Sequence, residues 1–260
     1  MVLKTLILSL LALSAYAQIM LDPDRASFFE TDSEPTTLMY LWAENWDGSS
    51  STFDDSAGVT FTKYGSPGKT THAWYNDKDA IDINDIPAYF TFDTLSHNQD
   101  NYAIFIVGRQ EGTTSSAFYL NFEADYWRCY IPAYRDNNFT QGLLYGQTSN
   151  IEYKEYPSGD STNYPYIRLW LLEDGRFEFY KNGGTALLDT TFEDTALDAT
   201  LRLGTASSTF IDVEICHIGI YSLPDGESFS DDFLNAKGEA LEDYYNTVTY
   251  KYQYWETITR

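Results

Sequence analysis

Tyr166-Ile167-Arg168-Leu169-Trp170-Leu171, Glu173-Asp174-Gly175, Arg176-Phe177-Glu178-Phe179-Tyr180 and Lys181-Asn182-Gly183-Gly184 follow one another almost without a break, and they decide the fold. The first and third stretches have strand length and are rich in aromatic and branched side chains, which suit a pleated, half-buried surface. Asp-Gly and Asn-Gly are the pairs favoured where a tight hairpin demands positive φ. The reading is an antiparallel meander from Ile167 to Leu188, with a two-residue turn at Asp174-Gly175 and an equally tight one at Asn182-Gly183.

Outward from the meander the chain stays β. Tyr102-Ala103-Ile104-Phe105-Ile106-Val107 is a nearly continuous apolar run closed by Gly108, the pattern of a strand covered on both faces. Ala117-Phe118-Tyr119-Leu120-Asn121-Phe122 follows a Thr/Ser turn. One helix is expected, opening at Ser230 as cap, with Asp231 and Asp232 complementing the helix dipole. Phe233, Leu234, Lys237, Leu241 and Tyr244/Tyr245 recur at helical spacing, and Gly238 should weaken the helix by about 1 kcal/mol relative to Ala. No linker, repeat or low-complexity tract interrupts the chain, and the aromatic tail from Thr247 to Arg260 is expected to add an edge strand.

The first residues speak to compartment. Lys4, the apolar stretch Thr5 to Leu13 and the small residues Ser14-Ala15-Tyr16-Ala17 form a secretory leader, cleaved before Gln18. The stretch is too short for a bilayer anchor. The expected division is a signal peptide at 1–17, an acidic segment at 18–35 and a single domain at 36–260, exported and extracellular. Losing the leader removes Lys4 and moves the formal charge from −23 to −24. Such a balance excludes nucleic acid as a partner and argues against anionic membranes.

In an oxidising compartment Cys129 and Cys216 are a disulfide candidate, and two free buried thiols are the open alternative. With three His in the chain, they do not make a zinc site of standard spacing. Asn138-Phe139-Thr140 is an acceptor for N-glycosylation beside the turn-like Asp136-Asn137.

Three stretches carry a family resemblance. Leu38-Met39-Tyr40-Leu41-Trp42-Ala43 with the loop Asp54-Asp55-Ser56-Ala57-Gly58 resembles the opening strand and loop of the concanavalin A-like superfamily, in its laminin G-like branch. Phe177-Glu178-Phe179-Tyr180-Lys181-Asn182-Gly183 resembles that family's strand ending in Tyr-x-Asn-Gly. Leu201-Arg202-Leu203-Gly204 leading to Phe210–Tyr221 looks like its closing strand pair, with Ile211 where a glycine is usual. The resemblance implies an all-β fold: a two-sheet antiparallel β-sandwich, or jelly roll, with a short C-terminal helix.

That fold also hosts glycoside hydrolases, which need two carboxylates flanking the scissile bond. Glu123 and Asp125 share a strand face, but Trp127 stands where the family's Glu-x-Asp-x-Glu pattern needs its last acid. No Gly-x-Ser-x-Gly elbow and no phosphate-cradling glycine loop is present, so catalysis is not expected.

Aromatic rings beside polar turn residues suit sugar recognition, because their faces cover the C–H faces of pyranoses. The ligand-binding candidates are Trp74, Tyr75 and Asn76; Glu123, Asp125 and Trp127; and Tyr134 and Asn137. Calcium is the metal that abundant carboxylates favour, with Asp54, Asp55, Asp77 and Asp79 as candidate ligands. The expected function is a secreted, non-catalytic lectin-like module for carbohydrate or extracellular matrix. A self-associating coat, fibre or adhesive protein is the first alternative, and a polysaccharide-active hydrolase or lyase the second.

Overall fold

The computed structural model describes residues 33–72, 75–83, 88–92, 101–110, 118–122, 127–130, 133–135, 138–141, 144–145, 154–155, 166–191, 201–205, 213–245 and 254–260. For the strands from 118 to 155 and for residues 72, 110, 188, 190, 191, 201, 202, 204 and 205 the description is of the backbone. The chain divides into units Met1–Glu34 and Pro35–Arg260, and the strands and helix belong to the second.

Among the described residues the strands, numbered in chain order, form sheets of eight, seven and three. The first sheet runs β16 (Leu188–Thr191), β15 (Arg176–Lys181), β14 (Tyr166–Glu173), β7 (Asn101–Gln110), β18 (Val213–Leu223), β5 (Lys78–Ile83), β4 (Gly68–His72). One edge of β18 lies along β7; its other edge takes β5 and then β1 (Thr36–Trp42), end to end. The second sheet runs β12 (Leu144–Tyr145), β9 (Trp127–Tyr130), β8 (Phe118–Phe122), β17 (Leu201–Thr205), β6 (Ala88–Phe92), β3 (Thr60–Tyr64), β2 (Thr52–Asp54). A small third sheet joins β10 (Ala133–Arg135), β11 (Asn138–Gln141) and β13 (Lys154–Glu155). Every strand pair is antiparallel, and the two large sheets pack as a β-sandwich.

Alternation along the strands builds two cores. Tyr102, Ile104 and Ile106 of β7, Trp170 and Leu172 of β14 and Ile218 and Ile220 of β18 meet Phe61, Phe90, Phe92 and Leu203 of the second sheet. The intervening residues, among them Phe105, Val107, Ile167, Leu169, Tyr221 and Leu223, lie on the opposite face. There they pack under helix α1 (Asp231–Tyr245), which contributes Leu234, Leu241 and Tyr245, and under Trp255 and Ile258 of the tail. Burial on both faces is why these strands read as unbroken apolar runs. Each fully buried Leu, Ile or Phe contributes about 1.5–3 kcal/mol of transfer free energy.

The Asp174-Gly175 hairpin forms as expected: Glu173 pairs with Arg176, and φ is 47° and 75° at the two turn residues. The next connection differs. Phe179 pairs with Leu188, so the link is a wider loop in which Asn182, Gly183 and Gly184 all take positive φ. That loop receives the tail, through Glu256 N–H donating to the Asn182 carbonyl and Gly184 N–H to the Glu256 carbonyl. A Cβ at Gly183 would stand 1.9 Å from the Glu256 carbonyl oxygen. Of the tail expected as an edge strand, residues 254–260 are docked on their own domain through a parallel bridge, and residues 247–253 lie outside the described residues.

Helix α1 starts where expected, with Phe233 N–H donating to Ser230 Oγ. The expected closing strand pair is corrected: β17 lies in the second sheet and β18 in the first, so the two face each other across the core.

Candidate functional site

Among the described residues, the acids and aromatics singled out in the sequence do not converge. Tyr75 is wholly buried and its hydroxyl donates to Glu214 Oε2 at 3.0 Å, so it is a core residue rather than a ligand platform. Glu214 also receives the guanidinium of Arg109, Nη2 to Oε1 at 2.8 Å and Nε to Oε2, which satisfies a buried carboxylate with a buried cation. Asn76 is exposed and, with Asp77, takes positive φ in the β4–β5 connection. Trp74, Glu123, Asp125 and Asn137 lie outside the described residues. Trp127 opens β9 and Tyr134 lies in β10, in different sheets. Asn138 opens β11, opposite Arg135.

Three of the four calcium candidates have other partners, and Asp77 takes positive φ in the β4–β5 connection. Asp55 Oδ1 accepts the N–H groups of Ala57 and Val59, both at 2.8 Å, and Oδ2 accepts Tyr40 N–H at 2.6 Å. Asp54 accepts the Thr60 hydroxyl; Asp79 accepts the Thr71 hydroxyl and pairs with Lys69 at 2.6 Å. Among the described residues no group of three metal-binding side chains forms.

Cys216 is a free, buried thiol. It sits at a bulge in β18 where Ile215 and His217 flank a register shift, and it faces the helix-side core. Cys129 is in β9 of the other sheet, across the inter-sheet core from that face. Burial pushes the Cys216 thiol well up and holds His217 down to about 3, so neither is a nucleophile or base near neutral pH.

What the structure does assemble is a polar and aromatic surface on the outer face of the second sheet. Phe61 of β3 and Phe90 and Phe92 of β6 point inward, leaving Thr62, Tyr64, Tyr89 and Thr91 on the other face. Tyr64 pairs directly with Tyr89, and the rings stack with centroids 4.9 Å apart and planes 8° from parallel. Tyr64 keeps 45% of its surface exposed, and among the described residues only Tyr254 is a more exposed large apolar side chain. Opposite Tyr89 on β17 is Gly204, a position without a side chain beside the stack.

One step along the strands a second row crosses the sheet. Thr52 pairs with Thr62, Thr62 with Thr91, and Thr91 with Arg202; Arg202 pairs with Asn121, Asn121 with Arg128, and Arg128 with Leu144. Hydroxyls, an amide and two guanidinium-bearing residues therefore occupy consecutive register positions beside a two-ring platform. Apolar ring faces with hydrogen-bonding groups at their flank are what a polyhydroxylated ligand needs. The sequence carries this signal in the alternation Thr60-x-Thr62-x-Tyr64 and Tyr89-x-Thr91 against inward Phe, although no aromatic-rich turn marks it.

No family model matches the chain, and no curated protein matches it. Solved structures do. A botulinum neurotoxin DC binding domain in complex with SialylT is 10% identical, with a TM-score of 0.56, and the match covers 79% of this chain and 51% of that one. A botulinum neurotoxin type C structure, described with cell entry dependent upon two ganglioside molecules, matches at 10% identity and a TM-score of 0.55 over the same shares. A Trypanosoma rangeli sialidase mutant displaying trans-sialidase activity is 12% identical, with a TM-score of 0.52, over 74% of this chain and 32% of that one. The chain thus spans about half the length of the toxin chains and about a third of the sialidase, and at these identities the likeness is one of fold.

Proposed function

We propose that this chain is a secreted, non-catalytic carbohydrate-binding module of the laminin G-like, concanavalin A-like kind, and that it binds glycans on the outer face of its second sheet. The observation that carries the reading is the stacked, exposed pair Tyr64–Tyr89 beside a transverse row of hydroxyl, amide and guanidinium positions. A pyranose laid on the rings covers apolar surface, while Thr62 and Thr91 lie within reach of its hydroxyls. The solved structures of similar fold lend support, since one is a binding domain in complex with SialylT and another concerns ganglioside-dependent entry.

The non-catalytic part rests on chemistry. The hydrolase pattern lacks its last acid at Trp127, His217 is buried and neutral, and the Cys216 thiol stays protonated. The leader at 1–17 supports export. The docked tail, with Trp255 buried, takes residues 254–260 out of the role of a free strand for self-association.

A glycan array probed with the protein from Gln18 to Arg260, in calcium and then in chelator, tests the reading. Binding to a defined class of glycan is expected. Loss in chelator would add calcium to the site, and persistence would remove it. A folded protein that binds nothing in either buffer would overturn the proposal.

A further inference from the structure

We propose that the glycan taken by this face is an uncharged linear chain lying along strands β3 and β6, with about three of its sugars in contact with the protein. The inference rests on the carbohydrate-binding reading and names the ligand class for the same face. Its basis is a strip of side chains that begins at the Tyr64–Tyr89 stack and ends at the hydrogen-bonded pair Thr60–Asp54.

Register rows make up the strip. Tyr64 and Tyr89 form the first; Thr62 and Thr91, with Thr52 beyond them on β2, form the second; Thr60 and Asp54 form the third. These residues alternate with Phe53, Phe61, Phe90 and Phe92, which pack into the inter-sheet core. Thr52, Asp54, Thr60 and Tyr64 are exposed, and Thr62, Tyr89 and Thr91 are half-buried. Every member of the strip except Asp54 carries a hydroxyl, and Asp54 alone is ionised. Lys63 of β3 falls on the opposite alternation, where its ammonium donates to the Ser49 carbonyl at 3.0 Å and lies over the Trp46 ring.

A floor of hydroxyls donates and accepts, which matches the hydroxyls of a sugar and offers nothing to pair with a fixed negative charge. In a chain of net charge −23 an acidic polysaccharide is repelled as well. Threonine is stiff at χ1 and tyrosine has few rotatable bonds, so ordering the strip on binding costs little. Length sets the rest. Tyr64 lies four residues from Thr60 along β3, about 14 Å of extended chain, with about 7 Å between successive rows. An open sheet face is a floor without walls, so a single sugar on the tyrosines is covered on one side only. Contact accumulates instead along a chain: one sugar on the rings, the next over Thr62 and Thr91, and a third whose hydroxyl reaches Asp54. There Thr60 Oγ1 donates to Asp54 Oδ1 at 2.7 Å and steadies the carboxylate, which offers the sugar hydroxyl a charge-assisted bond.

The test is calorimetric titration of the wild-type protein, Asp54→Ala and Thr62→Val with linear oligosaccharides of one to six sugars. The probes are uncharged series built on glucose, mannose, xylose and N-acetylglucosamine, with an oligogalacturonate series as the acidic counterpart. In an uncharged series that binds, affinity is expected to rise about fivefold with the second sugar and again with the third, then to level off. Asp54→Ala should remove the gain of the third sugar. Thr62→Val, which keeps the shape and loses the hydroxyl, should remove the gain of the second. Asp54 is exposed, so its variant carries the test if Thr62→Val melts well below the wild type. A single sugar bound as tightly as the chain, a preference for the galacturonate series, or a length dependence that both variants retain would overturn this inference and leave the carbohydrate-binding reading standing. The same holds if the array yields a ligand and no uncharged series binds. A folded protein that binds no glycan in either assay would overturn both.

Discussion

The Asp55 carboxylate accepts the main-chain N–H of Tyr40 across 2.6 Å, and Ser56 N–H donates back to the Tyr40 carbonyl. Two residues of a loop thus imitate a neighbouring strand along the outer edge of β1. Trp42 N–H is met in the same way by Asn45 Oδ1 at 2.8 Å. An open strand edge invites pairing with another chain, and here side chains close it.

Asp55→Ala is therefore expected to cost about 2–4 kcal/mol, because three main-chain donors lose a charged acceptor in a part-buried setting. Asp54→Ala, one exposed hydrogen bond away, should change stability by less than about 1 kcal/mol. Urea denaturation of the two variants checks the contrast; equal effects would remove Asp55 from this role.

Gly238 offers a prediction whose sign differs between local and tertiary reasoning. By helix propensity Gly238→Ala should stabilise the protein by about 1 kcal/mol. In the fold a Cβ there would lie 2.1 Å from Cε2 of Trp255, whose indole fills the space over the helix. Gly238→Ala is expected to destabilise by about 2 kcal/mol or more. In a Trp255→Ala background the same change should become neutral or stabilising, and a double-mutant cycle by chemical denaturation measures the reversal.

His217 sets an acid-side dependence. Burial, with Lys237 adding to it, holds its folded pKa at about 3, against about 6.5 when unfolded. The neutral ring is favoured in the native state, so its contribution is complete above pH 6.5. It declines as the pH falls toward 3, because only the unfolded chain binds the proton. The loss approaches about 4 kcal/mol at the acid end. Unfolding free energies from pH 7 to 4 should fall more steeply for the wild type than for His217→Gln; parallel curves would contradict this.

Local patterns in the sequence foretell much of this architecture. Asp174-Gly175 names its turn, Ser230 its cap, and the apolar runs of β7 and β14 their burial between two layers. What stays hidden depends on partners distant in the chain. Tyr75 looks like a surface aromatic until Glu214 is placed against it. Asn182-Gly183 looks like a tight hairpin until Glu256 arrives in its loop. Gly238 looks like a helix defect until Trp255 is seated on it. The Tyr64–Tyr89 pair needed only the strand register, which alternation suggests and which the β3–β6 pairing supplies.

The most direct test of glycan binding at this face is calorimetric titration of the best array ligand into wild type, Tyr64→Ala and Tyr254→Ala. Both tyrosines are exposed, at 45% and 56%, but Tyr254 lies on the docked tail away from the stack. The proposed site predicts that Tyr64→Ala weakens binding about tenfold or more at an unchanged melting temperature, in line with the loss of a stacking surface. Tyr254→Ala should bind as the wild type does. Unchanged affinity in Tyr64→Ala, or equal losses in both variants, would contradict the account.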